Sequence, residues 1–451
     1  MRQAPVEALA ALPKASVART PAAVKAAIAA FVASLFLPTI YTLGSINLSP
    51  TLLLLILGFP PLLGMWAAGR AGPRMAIDML VLAFAFWAAG TRLTLLDFNE
   101  ALEPGGVVLL QSAGGYLAGR VLVRDAATTR LAFGAAIAGI ALMIPFLLWE
   151  SVTGTKPLLE LAGLFGKTLA PTQMDPRWGF RRAQGMFEHP ILLGIFCATL
   201  VSATLFMFPG GRMRAMRWLG APLVVLAAMT SFSTGALLSM NTQFGLIAWN
   251  AALRRVASRW TILIWLVVAL YVTADLLSNR TPFHLFVDYA TFNSQSSYNR
   301  ILIWQFGSAA VMESPLLGHG TDDWERPSYM SSSMDNFWLV IAYRYGLIGF
   351  GLLAAAFVLT IIRIGRHHGA DADINAMRRG AIFALVATMI AIVSVHLWNN
   401  SYIWLMFMLG AVAWMTVPDR MAPPGGDSTH PSEVAPENKG PRHVRLRRLG
   451  F

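Results

Sequence analysis

Charge is what this chain has least of. Of its 451 residues only 13% are Asp, Glu, Lys or Arg, while 56% are hydrophobic and the mean hydropathy is +0.57. A soluble domain carries about 25% charged residues, so a fold with most of its surface in water is excluded. The solvent for most of the chain must be lipid, and one membrane domain replaces the two or three soluble domains that length alone suggests. Cysteine is nearly missing: Cys197, inside an apolar run, permits no intrachain disulfide and no thiolate metal cluster, and reads as a small buried hydrophobe. There is no Gly-x-x-x-x-Gly-Lys phosphate loop, which weighs against direct ATP hydrolysis. There is no His-Glu-x-x-His or other spaced metal set. Nor does the N-terminus show a short apolar stretch with a small-residue cleavage site. The first long apolar run begins after Lys25 and reads as a signal-anchor-like helix.

What is present is a series of apolar runs, near 26–44, 51–69, 75–91, 104–119, 131–149, 190–208, 218–232, 235–252, 260–278, 336–362, 380–397 and 402–417. A membrane helix needs about 20 such residues, which gives about twelve spans. The expected fold is an all-α polytopic membrane protein of about twelve transmembrane helices, with a large loop region between the ninth and tenth. Residues 1–25 form an N-terminal segment, 26–417 the membrane domain, and 418–451 a Pro/Gly-rich, disordered tail with a basic end. The break between the seventh and eighth runs is Ser231-Phe-Ser-Thr-Gly235. Two polar interruptions stand out, 151–190 and 279–335. Within them Leu158–Leu169 reads as a short surface helix, and Arg300 through Met312 as a helix ended by Pro315 and the glycines.

A net charge of +12 would suit nucleic acid or a membrane surface, and the placement of the charge decides. Most of the 35 basic residues fall in short connectors on the side of the N-terminus, as the positive-inside rule asks. Both termini are therefore expected to be cytoplasmic and both long loops outside. Membrane lipids are the expected surroundings, with no role in nucleic-acid binding.

Against that rule, Arg177, Arg181, Arg182, Arg280, Arg300, Arg326 and Arg344 lie on the disfavoured side. Guanidinium is planar, always charged and matched to phosphate oxygens. A site that handles a lipid-linked diphosphate outside the membrane needs such groups to hold it and to stabilise charge as it leaves. Asp322-Asp323 offers oxygen ligands for a divalent ion, against the plainer reading of a capped turn before Trp324. Asn336 and Tyr345 read either as substrate contacts or as residues ordering the loop's return to the membrane.

Three blocks carry a family resemblance. Arg182-Ala-Gln-Gly185-Met-Phe187-Glu-His189-Pro190 is followed by Asn299-Arg300-Ile-Leu-Ile-Trp304 with Ser314-Pro315-Leu-Leu-Gly318-His-Gly320. Then come Asp335-Asn336-Phe-Trp-Leu339 and Tyr345-Gly346-Leu-Ile-Gly349. In this order, over about 180–350, they resemble the O-antigen ligase and polymerase (Wzy-type) superfamily. The resemblance implies metal-independent, inverting glycosyl transfer without a cofactor, at the periplasmic face of the bacterial inner membrane. The donor is a glycan on undecaprenyl pyrophosphate. The acceptor is a glycan, a lipid-linked glycan, lipid A-core or a protein. A chain-length regulator is among the implied partners. Carried over by position, Arg182 and Arg300 bind and neutralise the pyrophosphate, with Arg181, His319, Asn336, Arg344 and Tyr345 as further substrate contacts. The ligase branch has a histidine where this chain has Asp335, which as a carboxylate can act as general base. His319 and His189 are the other residues that could replace that histidine, with helix initiation as the alternative for His189. That departure favours a polymerase of O-antigen or exopolysaccharide repeats over a ligase. A transporter of lipid-linked sugars is the third reading, disfavoured because neither inverted repeats nor paired broken helices are present.

Overall fold

The computed structural model describes residues 20–43, 46–208, 210–278, 281, 294–367, 369 and 371–417. The segment 1–19, the basic tail 418–451 and Arg280 lie outside the described residues. The described chain is mostly helical, in the order α1 (Ala22–Ser34), α2 (Pro50–Ala67), α3 (Ala76–Leu95), α4 (Phe98–Leu109), a π turn (Leu110–Gly114), α5 (Gly115–Leu122), α6 (Ala126–Thr153) and α7 (Pro157–Gly163). It continues with α8 (Pro190–Thr199), α9 (Val201–Met207), α10 (Arg214–Thr230), α11 (Thr234–Ala252), α12 (Arg259–Leu277), α13 (Ser294–Glu313), α14 (Phe337–Arg366), α15 (Ala372–Ala391) and α16 (Asn399–Ala411). Each of the apolar runs read from the sequence contains helix. The first, 26–44, is however helical only to Ser34 and then enters the strand Tyr41–Leu43, and the run 380–397 leaves helix at Ala391. Among the described residues seven helical segments are long and apolar enough to cross a membrane: α2, α3, α6, α8 with α9, α12, α14 and α15. The surface helix expected over Leu158–Leu169 is shorter, at Pro157–Gly163. The segment after it runs along 38–40, with Ile40 N donating to Lys167 O and Leu169 N to Pro38 O. A small hairpin, β1 (Tyr41–Leu43) with β2 (Ile46–Leu48), stands beside it.

Lipid supplies no hydrophobic drive between helices, so close packing needs small residues. Gly115 and Gly119, one turn apart on α5, face α16. A Cβ on Gly119 would lie 2.1 Å from Phe407 O, and one on Gly410 would lie 2.1 Å from Tyr116 O. The two backbones therefore touch, and α16 becomes the buried axis of the bundle, with Trp404, Met406, Phe407 and Leu409 all sealed. At one end of the bundle the buried carboxylate of Asp78 accepts from Arg120 Nε at 3.0 Å, Trp66 Nε1 at 3.1 Å and the Met75 amide at 2.9 Å. Arg120 also donates to the carbonyls of Ala71 and Pro73. This network ties α2, α3 and α5 together at the connectors that the charge count puts inside. Such a pair holds its place because every polar atom is satisfied.

At the other end, α13 and the segment 314–336 pack over the first half of α14. They form a small core of their own from Ile303, Ala310, Val311, Trp324, Met334, Leu339 and Tyr343.

We expect Gly119→Val to overpack the α5–α16 contact and cost about 1–3 kcal/mol or more. It should be read as a lower midpoint of thermal unfolding in detergent. An unchanged midpoint would show that the two helices separate freely.

Candidate functional site

The turn between α10 and α11 is where the site is built. α10 ends at Thr230, and Ser233 caps α11 by accepting from the Ala236 amide. Between them Phe232 takes a left-handed φ of 46°, which an aromatic residue adopts only when its surroundings impose it. Its ring lies flat against Phe180 (centroids 5.8 Å apart, planes 10°) and edge-on to Trp178 (5.9 Å, 79°). Both partners come from the loop preceding α8, so the strained turn and that loop hold each other.

Three arginines converge on this one turn. Arg177 Nη1 donates to Phe232 O, Arg182 Nε to Ser231 O at 3.1 Å, and Arg300 Nη2 to Thr234 Oγ1 at 2.9 Å. Arg300 Nε also donates to Ser394 O at 3.2 Å, in the break between α15 and α16. The carbonyls concerned sit just past the C-terminal ends of α10 and α15, where the helix dipole is negative and favours cations. Arg182 is 6% exposed. Its Nε is engaged, whereas its Nη atoms have no hydrogen-bond partner among the described residues. The third component is a carboxylate: Asp335, half-buried and accepting from Ser333 Oγ at 2.6 Å, lies in the electric field of both Arg182 and Arg300. Burial, then the charge of Arg177, pulls Arg182 down to about 10, with Asp335 opposing and Arg300 adding. Burial likewise lowers Arg300 and Arg177. A guanidinium stays charged at neutral pH, so among the described residues three cations and the Asp335 carboxylate share this place.

Arg182 is held in place from behind. Glu150, near the end of α6 and 2% exposed, accepts from the Gln184 amide at 2.8 Å, the Gly185 amide at 3.0 Å and Lys156 Nζ at 2.7 Å. Gly185 has φ 58° and sits where a Cβ would meet the Met143 and Leu147 side chains at 2.5 and 2.8 Å. The block Arg182-Ala-Gln-Gly185 is therefore a loop clamped onto a buried carboxylate. Arg181 is exposed and, with Arg182, Glu150 and Lys156, borders a polar cavity of about 260 Å³.

The other two blocks interlock. Gly346 breaks α14 with φ 70° and ψ 177°, freeing the carbonyls around it. The amides of His319 and Gly320 donate to Tyr343 O and Arg344 O at 2.8 and 3.2 Å, and Leu347 N donates to Pro315 O at 2.7 Å. Trp87 Nε1 on α3 takes Tyr345 O at 2.9 Å. A Cβ on Gly346 would stand 1.9 Å from Leu316 O, and one on Gly318 2.6 Å from Tyr343 O. These glycines are there because two backbones touch.

The candidates read from the sequence thus separate into two groups. Arg182, Arg300 and Asp335 come together. His319 does not join them: its ring stacks on Tyr343 (4.6 Å, 10°) and its Nε2 bonds Ala310 O at 2.8 Å, locking the loop to α13. Asn336 is the N-cap of α14, its Oδ1 accepting from the Leu339 amide at 3.1 Å. Tyr345 is buried and Arg344 exposed, and both line a neighbouring cavity. His189 caps α8 through Nδ1, accepting from Ile191 N at 3.1 Å, yet it lies in the fields of Arg182 and Asp335. Burial, then Arg182, lowers it to about 4. Asp323 pairs with Arg326 at 2.6 Å, and no cluster of three metal-ligating side chains occurs among the described residues. Sequence reasoning passed over Glu150, named Arg177 only as one of seven arginines on the disfavoured side, and gave the Ser231–Thr234 turn no role beyond a break. The available signal was a break between two apolar runs that is rich in hydroxyls and carries no basic residue.

Residues 218–354 match the family model for O-antigen ligase, and no curated protein matches the chain. The match supports membership in the O-antigen ligase/polymerase superfamily and an activity of ligase or polymerase type. It contains the arginine-binding turn, Arg300, Asp335 and the interlocked glycine blocks. Arg182 and Arg177 precede it and are brought in by the fold.

His189 is neutral in the folded chain, with its value lowered from 6.5 to about 4. Its contribution to stability is therefore present above pH 6.5 and is lost as pH falls through about 4. The wild-type unfolding midpoint should fall across that window more steeply than that of His189→Gln. Equal slopes would mean that His189 titrates as an exposed histidine.

Proposed function

With residues 218–354 carrying the O-antigen ligase match, we propose that this chain polymerises oligosaccharide repeats carried on undecaprenyl pyrophosphate, at the periplasmic face of the inner membrane. The observation that carries the reading is the convergence of Arg177, Arg182 and Arg300 on one turn with Asp335 beside them. Three partly desolvated cations within one another's fields repel, and an anion of charge near −2 or −3 relieves that repulsion. A diphosphate fits, because it spreads its charge over several oxygens that planar guanidinium groups can meet in pairs.

In the proposed step the acceptor hydroxyl attacks the anomeric carbon of the donor sugar from the face opposite the pyrophosphate. The new C–O bond forms as the bond from the anomeric carbon to the pyrophosphate oxygen breaks, and its electron pair leaves with that oxygen. Arg182 and Arg300 stabilise the charge gathering there, the part of catalysis that pre-placed charges do best. Their Nε anchors on helix-end carbonyls fix the direction of each guanidinium before substrate arrives. Asp335 takes the proton from the acceptor hydroxyl. The guanidinium groups supply the positive charge that a divalent ion brings to other pyrophosphate leaving groups, so the activity is expected to survive chelation.

A ligase that passes a finished glycan to lipid A-core or protein uses the same chemistry, and the description of the matched family favours it. Asp335, where the resemblance expects a histidine in ligases, favours the polymerase. Deletion of the gene followed by glycan profiling separates them. Loss of the chain-length ladder supports the polymerase, whereas an intact lipid-linked polymer that never reaches its acceptor supports the ligase.

Arg182→Ala and Arg300→Ala should each lower turnover in liposomes by about 10²–10³-fold, and Asp335→Asn by about 10²–10⁴-fold, with membrane insertion unchanged. Full-length polymer from either arginine variant would defeat the leaving-group role, and full activity in Asp335→Asn would defeat the base.

A further inference from the structure

A second cavity, of about 220 Å³, lies between α3, the π turn, α14 and the start of α16, bordered by Arg92, Gln111, Arg344, His396, Trp398 and Asn399. Arg92 is 2% exposed. Its guanidinium carbon sits 5.2 Å from the centroid of the Tyr345 ring, and Nη2 lies 3.5 Å from the Tyr345 hydroxyl. Its Nε and Nη1 have no hydrogen-bond partner among the described residues, and no described carboxylate pairs with it. The Nδ1 of His396, also buried, has none either. A guanidinium removed from water without an anion is among the costliest arrangements in a fold, and the face of one tyrosine offsets only part of it. This group is built to meet an anion.

The cavity adjoins the arginine cluster. The ring of Trp398 lies 6.1 Å from His189 and 5.6 Å from His396, so it touches both sites. The π turn aims Gln111 into the cavity, where its Nε2 donates to Asn399 Oδ1 at 3.2 Å. A π turn inside a helix often marks a functional site.

We propose that this cavity is a second oxyanion subsite, taking a lipid-borne phosphoryl group other than the donor's. Arg92 supplies Nε and Nη1, Arg344 a second guanidinium and His396 its Nδ1. The proposal rests on the glycosyl-transfer reading: a polymerase must hold two lipid-linked diphosphates at once, and Trp398 lies between the two places that suit them. A phosphoryl group here has two possible sources, the diphosphate of the acceptor or the headgroup of an anionic phospholipid.

The test is native mass spectrometry on the full chain in phospholipid-free detergent, titrated with undecaprenyl pyrophosphate. Wild type is expected to bind two equivalents. Arg92→Gln should lose one, with at least about a tenfold weaker second affinity, and Arg300→Gln the other. Arg92→Lys, which keeps the charge, should recover part of the loss. Arg344→Gln reads the same subsite from its exposed side should Arg92→Gln not fold. Competition with phosphatidylglycerol assigns the source: displacement of the Arg92-dependent equivalent at equal concentration identifies a headgroup, and its retention identifies the acceptor diphosphate. One equivalent in wild type, or two in Arg92→Gln and Arg344→Gln, would overturn the subsite. If Arg300→Gln alone still loses an equivalent, the donor reading survives that failure; if it binds as wild type does, the donor reading falls as well.

Discussion

Everything at the candidate site depends on three arginines being held by one turn. Ser231, Phe232 and Thr234 offer a carbonyl, a carbonyl and a hydroxyl within four residues, and each takes a guanidinium, two from the loop before α8 and one from α13. A carbonyl at a helix C-terminus holds a cation without neutralising it, which a carboxylate would do. For Arg182, whose Nη atoms have no hydrogen-bond partner among the described residues, the charge therefore stays available to a ligand. The turn accepts a left-handed phenylalanine to make this possible, and Phe180 and Trp178 fix it from the same loop that delivers Arg177 and Arg182. Strain, anchoring and charge placement are one arrangement.

The supporting frame follows a different logic. Around Gly185, Gly318 and Gly346 two backbones or a backbone and a side chain approach within distances that no Cβ tolerates. Glu150, itself paired with Lys156, pins the first of these loops by its amides. The kink at Gly346 turns α14 into a socket whose freed carbonyls receive the loop 315–320. His319 and Asn336 belong to this frame, one stacked and bonded to a carbonyl, the other capping a helix. Polar residues close to the candidate site are thus divided between those that converge on the 231–234 turn and those that hold the loops around it.

Much of this was legible in the sequence, for physical reasons. The apolar runs announced the helices, since lipid leaves the backbone no other partner than itself. Arginines on the side that the charge count disfavours drew attention to these loops, and two of the three that the fold brings together, Arg182 and Arg300, were singled out. The rest was hidden because it depends on tertiary approach. Arg177 looked like any loop arginine until Phe232 O was placed against it. The turn 231–234 carries no charge and read only as a weak break. Arg92 ends an apolar run, where an arginine ordinarily reaches for the interface, and only the fold shows it buried under Tyr345 and Gly320. His319 drew attention through its setting between two glycines, and that setting is the reason it is structural.

The central claim is that a lipid-linked diphosphate is held by guanidinium groups whose directions are fixed by the 231–234 turn and the 392–398 break. The most direct measurement is an electron cryomicroscopy structure of the full chain in nanodiscs with undecaprenyl pyrophosphate bound. Phosphate density should lie within about 2.7–3.2 Å of nitrogens on both Arg182 and Arg300, with Ser231 O and Ser394 O still engaged by the two Nε atoms. A diphosphate seated elsewhere, with those arginines untouched, would contradict the account.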